Sequence, residues 1–117
     1  MSGVASRGEQ AEAIALRYLE SQGLNLVTQN YRCRYGEIDL IMRDSKTLVF
    51  TEVRMRKSNA FGGALASVDS HKQRRILAAA RHYLSAQRGS PLCRCDVVLL
   101  SDVSEHGIEW IQNAFTE

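Results

Sequence analysis

The chain has 117 residues, 44% hydrophobic and 24% charged, with eight Gly and one Pro, which is the composition of a globular domain and excludes a disordered, collagen-like or coiled-coil chain. Its length supports one core burying roughly two thirds of the surface exposed on unfolding, without metal or disulfide staples, so a single domain over 1–117 is expected, with about the first eight residues outside it. No apolar run approaches a bilayer span, and Met1–Gln10 lacks the charged head, apolar stretch and cleavage site of a secretory signal. A soluble, cytoplasmic protein with no membrane partner is the expectation.

The net charge of +2 conceals an uneven distribution. Residues 1–30 carry two basic and three acidic side chains, residues 31–95 thirteen and five, and residues 96–117 none and five. The basic middle is the footprint a polyanion partner needs, because counterion release from phosphate requires clustered Lys and Arg. A solvated basic surface explains the same count. Cys33, Cys93 and Cys95 cannot all pair within one chain and read as reduced thiols. Cys93-x-Cys95 has no second ligand pair to complete a tetrahedral zinc site.

In chain order, Ala11, Ile14, Ala15, Tyr18, Leu19 and Gln22 recur at spacings of three and four and predict a helix over 9–22, with Gly23 where a C-terminal cap belongs. A short, polar edge strand over 24–31 follows, with Leu24 and Leu26 on one face. Residues 35–42 and 47–55 are richer in β-branched and apolar side chains, and the polar Arg43-Asp44-Ser45-Lys46 between them predicts a hairpin at the centre of the sheet. Residues 58–67 read as a mobile connection marked by Asn59, Phe61, Gly62 and Gly63. Ser67 or Asp69 then caps a second helix reaching about Gln87, with Ile76, Leu77, Ala80, Tyr83 and Leu84 on its apolar face. Strands over 96–100 and 107–112 complete the order αβββαββ.

Two acids interrupt the most apolar strands: Asp39 in Ile38-Asp39-Leu40-Ile41 and Glu52 in Val49-Phe50-Thr51-Glu52-Val53. A buried carboxylate is costly unless it is paired or binds a cation. In a hairpin turning at Ser45 and Lys46, Asp39 and Glu52 lie opposite each other or one step off, close enough to share one ion. Alternation puts Arg54 on the face of Glu52 and Glu37 on the face of Asp39. Mg2+ or Mn2+ bound through oxygen suits this set, and such an ion with a neighbouring cation fits phosphodiester hydrolysis. A buried ion pair of Glu52 with an arginine is the structural alternative. Glu12 borders the apolar face of the first helix and Gln73 lies near the inward face of the second, while Lys72, Arg74 and Arg75 fan outward. His71, His82 and His106 match no catalytic pattern, and Gly62-Gly63 alone is not a phosphate loop.

The segments Gly36-Glu37-Ile38-Asp39-Leu40-Ile41, Val49-Phe50-Thr51-Glu52-Val53-Arg54, Phe61-Gly62-Gly63 and Lys72-Gln73-Arg74-Arg75 resemble the YraN family of small bacterial proteins over nearly the whole chain. Glu12, Ala15, Tyr18 and Leu19 in the first helix, and Arg94, Asp96 and Val97 in the late strand, extend the likeness. That family is in turn similar to the restriction-endonuclease-like nucleases, particularly archaeal Holliday junction resolvases. The resemblance implies an α/β fold with a mixed central sheet flanked by helices. It further implies that Asp39 and Glu52 are metal ligands, that Glu12 is a further acidic member of the site, and that Arg54 fills a position where the nucleases carry lysine.

Arginine stays protonated at any working pH and is no general base, so this departure bears on catalysis and not on metal or nucleic-acid binding. The expected function is a metal-dependent nuclease on structured or branched nucleic acid, with DNA the leading partner and a homodimer by analogy. Arg56, Lys57, Lys72, Gln73, Arg74 and Arg75 would hold the substrate. A catalytically silent nucleic-acid-binding module of the same fold is the alternative. The acidic C-terminal segment with Trp110 and Phe115 is the one hint of an interaction role.

Overall fold

A computed structural model describes residues 6–55, 68–101 and 107–116. Among them run α1 (Arg7–Ser21), β1 (Asn25–Cys33), β2 (Gly36–Asp44), β3 (Thr47–Met55), α2 (Ser70–Ser85), β4 (Leu92–Leu100) and β5 (Ile108–Phe115). This is an α/β fold with the expected order αβββαββ, and that order is consistent with a restriction-endonuclease-like core. The Arg56, Lys57, Ser67, His106 and Asn59–Gly63 expectations lie outside the described residues.

The five strands form one sheet in the order β1-β2-β3-β4-β5. All neighbours are antiparallel except β3 and β4, which run parallel because α2 carries the chain from the end of β3 back to the start of β4. β1 is an edge strand and β3 is central, as the polar and apolar patterns predict. Alternation sorts the sheet onto two cores. Leu48, Phe50, Val97 and Leu99 pack with Ile76, Ala79 and Ala80 of α2, while Val49, Val98 and Leu100 pack with Ala11, Ile14, Ala15 and Leu19 of α1. Buried on both faces, β3 and β4 read as nearly continuous apolar runs.

Several boundaries differ from expectation for local reasons. α1 begins at Arg7, two residues before the apolar period, because Ser6 and Glu9 close a capping box: Glu9 N–H donates to Ser6 Oγ at 3.1 Å and Ser6 N–H to Glu9 Oε1 at 3.0 Å. Asp69 caps α2, accepting from Lys72 N–H at 2.8 Å. In β1 the register shifts between Leu26 and Thr28. Leu24, which precedes β1, is in the core at 3% exposure, while Leu26 is 38% exposed and does not share a buried face with it. β4 starts at Leu92, four residues early, since its polar first half pairs with β3 from Thr47↔Leu92 onward. Gly36 lets α2 approach the sheet closely: a Cβ there would stand 2.9 Å from the Arg75 carbonyl oxygen.

Candidate functional site

The β2–β3 ladder runs from Asp44↔Thr47 to Leu40↔Thr51, and one residue beyond its last pair stand Asp39 and Glu52. There the Asp39 carboxylate takes a main-chain role: the Val53 N–H donates to Asp39 Oδ2 at 2.8 Å. Glu52 follows Leu48 and Phe50 at two-residue spacing and so faces α2. Its side chain is 3% exposed and meets the Asp39 carboxyl in a hydrogen bond, and burial, then the Asp39 charge and that bond, push its pKa up to about 8. Lys72 and Arg54 oppose the rise without cancelling it.

The two cations approach the same atom. Arg54 Nη1 lies 3.7 Å and Lys72 Nζ 3.5 Å from Glu52 Oε2, both beyond hydrogen-bond length. Arg54 is where strand alternation predicts. Lys72 is not: instead of fanning outward with Arg74 and Arg75, it returns to the sheet, since the first turns of α2 sit over the start of β2. Gln73 is committed to the fold, its Nε2 donating to the Val68 carbonyl at 2.8 Å. Glu37 does not converge with Asp39 and Glu52 as a third acid, because its Oε2 accepts from Arg32 Nε at 3.1 Å.

Glu12 reaches this neighbourhood from α1. Partial burial raises its pKa, the Asp39 charge adds to the rise, and a hydrogen bond from Asn30 opposes it. Asn30 escaped the sequence reading. The pairs Gln29↔Leu40 and Tyr31↔Ile38 set it beside Asp39 on β1, where its left-handed φ of 54° suits Asn better than most residues. Among the described residues no three His, Cys, Asp or Glu side chains form a group able to hold a metal by themselves. The hard-oxygen donors at this point are the Asp39 and Glu52 pair.

A second buried acid has different surroundings. Asp96 on β4 is 0% exposed. It accepts from Arg94 Nε at 3.0 and 3.2 Å, Trp110 Nε1 at 2.9 Å and the Asn113 N–H at 2.9 Å. Arg94 Nη1 also reaches Asp44 Oδ2 at 3.2 Å. This network ties β2, β4 and β5 together. Its sequence signal was Arg94 two residues before an acid in an apolar strand, on the same face.

The fold and site define a small mixed-sheet α/β domain with a carboxylate pair beneath two cations. A family profile described as uncharacterised protein family UPF0102 matches residues 11–100. A UPF0102 protein of Nitrosomonas europaea is 53% identical over 117 residues, spanning 100% of this chain and 99% of its own. Another from Nitrosospira multiformis is 56% identical over 109 residues, 93% and 92% of the two chains, and one from Psychromonas ingrahamii is 53% identical over 112 residues, 96% and 91%. The chain belongs to the UPF0102 (YraN) family. No helix among the described residues is long and apolar enough to cross a membrane.

Proposed function

We propose that this protein is a divalent-metal-dependent nuclease that hydrolyses phosphodiester bonds of a branched or otherwise structured nucleic acid, with Asp39 and Glu52 as metal ligands. The observation that carries the reading is the buried Glu52 carboxyl set against Asp39. Two acids so arranged require a shared proton or a cation between them. Magnesium and manganese fit, since such ions are held by one or two carboxylates with water and substrate phosphate completing the shell. Zinc does not, since it asks for three or four protein ligands. The ion, when bound, supplies a Lewis acid for a phosphate oxygen and a lowered pKa for water.

The remaining work belongs to the chain's own groups. The Val53 N–H fixes the Asp39 carboxylate. Arg54 and Lys72 bring two positive charges to one edge of Glu52, the kind of preorganised charge that stabilises a phosphorane-like transition state. Arg54 acts by charge and orientation alone, because its guanidinium does not give up its proton. Glu12 adds a further acid beside Asp39. In this reading the substrate is DNA met in the cytoplasm, and a two-fold homodimer would match a branched substrate with two equivalent strands.

Calorimetric titration of Mg2+ and Mn2+ into the wild type and Asp39→Asn tests the metal site, with binding expected in the first and lost in the second. A folded Glu52→Gln variant that still cleaves at the wild-type rate overturns the assignment of Glu52 to the catalytic site. Arg54 in a lysine position favours one other reading, a nucleic-acid-binding module of the same fold without catalysis. Arg54→Lys separates the two, because raised cleavage marks an active nuclease limited by that residue, and salt-dependent binding without cleavage in both proteins marks the module.

A further inference from the structure

Beside the carboxylate pair, a cleft of about 220 Å³ opens between the end of the β1–β2 hairpin and the first turns of α2, lined by Arg32, Cys33, Gly36, Glu37, Lys72, Arg75 and Ile76. Three of its side chains are cationic and one is acidic. Their present partners differ. Arg32 pairs with Glu37, an exposed contact at 3.1 Å, and such surface pairs contribute little and exchange readily. Arg75 is exposed and makes no ion pair with a described residue. Lys72 lies 3.5 Å from Glu52, so one side chain belongs both to the cleft and to the carboxylate site. At Gly36 the α2 backbone lies so near the hairpin that a Cβ would stand 2.9 Å from the Arg75 carbonyl oxygen.

We infer that this cleft is a phosphate seat: Arg32 and Arg75 bind a phosphodiester of the substrate strand next to the one lying against Glu52, and Lys72 bridges the two. Guanidinium groups suit the task, since each offers a planar fork of donors to phosphate oxygens. The net positive lining also selects an anion, and the open side of the cleft admits a continuous strand. Identifying the phosphate as the substrate's rests on the nuclease reading, while the seat itself rests on the cleft.

The test is calorimetry in chelator, titrating inorganic phosphate and a 5′-phosphorylated thymidine dinucleotide into the wild type, Arg32→Ala, Arg75→Ala, Arg75→Lys and Arg88→Ala. Arg88 lies beyond the far end of α2 and serves as the control. The dinucleotide is expected to bind at least tenfold tighter than phosphate and to shift the amide resonances of Gly36, Glu37 and Ile76. Either alanine substitution in the cleft is expected to weaken it at least tenfold with the circular dichroism spectrum unchanged, Arg75→Lys to recover part of that loss, and Arg88→Ala to leave it unaltered. Wild-type affinity in both Arg32→Ala and Arg75→Ala overturns the seat, as does a dinucleotide that binds no tighter than phosphate. Dinucleotide binding lost in the cleft variants, in a protein that cleaves nothing, leaves the seat standing and removes the nuclease reading. Cleavage with an unchanged KM in both variants does the reverse.

Discussion

Two carboxylates are buried one strand apart, Glu52 on β3 and Asp96 on β4, and their surroundings are opposite. Asp96 accepts four contacts at 3.2 Å or less from Arg94, Trp110 and Asn113. Among the described residues Glu52 has cations no nearer than 3.5 Å, and another acid as its hydrogen-bond partner. A buried carboxylate met by several close donors holds a fold together, while one left short of donors is costly to the empty fold. The pair teaches that burial of an acid alone does not mark function. Under the nuclease reading proposed above, what sets Glu52 apart is its shortage of donors among the described residues.

The contrast breaks first, and by the largest amount, at Asp96. Asp96→Ala leaves the largely buried Arg94 with Asp44 as its remaining ion-pair partner among the described residues and is expected to cost about 3–5 kcal/mol of unfolding free energy, read from urea titration, while magnesium affinity in the folded fraction stays as in the wild type. A loss under about 1 kcal/mol would mean the network is not the anchor its geometry describes. Glu52→Gln should behave in the opposite manner. Its unfolding midpoint in chelator at pH 8 stays level or rises, and magnesium affinity falls by more than about 100-fold, beyond what the loss of an outer-shell partner costs.

A pH series sharpens the same point. The folded carboxyl of Glu52 titrates near 8 against an ordinary value of 4.5. Between those values the folded protein keeps a proton that the unfolded chain has shed, so metal-free stability falls as pH rises through this window. Magnesium is expected to restore it at pH 8, and Glu52→Gln to flatten the slope in thermal melts. The smallest effect lies at Thr51, the register partner of Asp96. Its hydroxyl is fully buried with no hydrogen-bond partner among the described residues. Thr51→Val keeps the shape and is expected to gain about 1 kcal/mol in urea unfolding.

Much of the fold was legible because periodicity is strong where burial is two-sided. The bounds of β3 at Thr47–Met55 coincide with its apolar run, and α1 follows its three-and-four spacing. The acidic pair was legible for the same reason, since Asp39 and Glu52 interrupt those runs thirteen residues apart. Lys72 was not. Its neighbours Arg74 and Arg75 have the same charge, and only the docking of α2 on Gly36 decides which of the three turns toward Glu52. Asp96 carried the same signal as Glu52, and its different role depends on Trp110 and Asn113, which lie 14 and 17 residues away. Asn30 was silent because a left-handed residue inside a strand leaves no trace in hydropathy.

Both outer strands share one irregularity. β1 shifts register after Leu26 and carries Asn30 at φ 54°, and β5 shifts register opposite Asp96 and carries Asn113 at φ 52°. A kinked border offers no long, straight row of free N–H and C=O groups, so another chain's strand finds no template on which to extend the sheet. Such kinks blunt both edges of the sheet against strand addition.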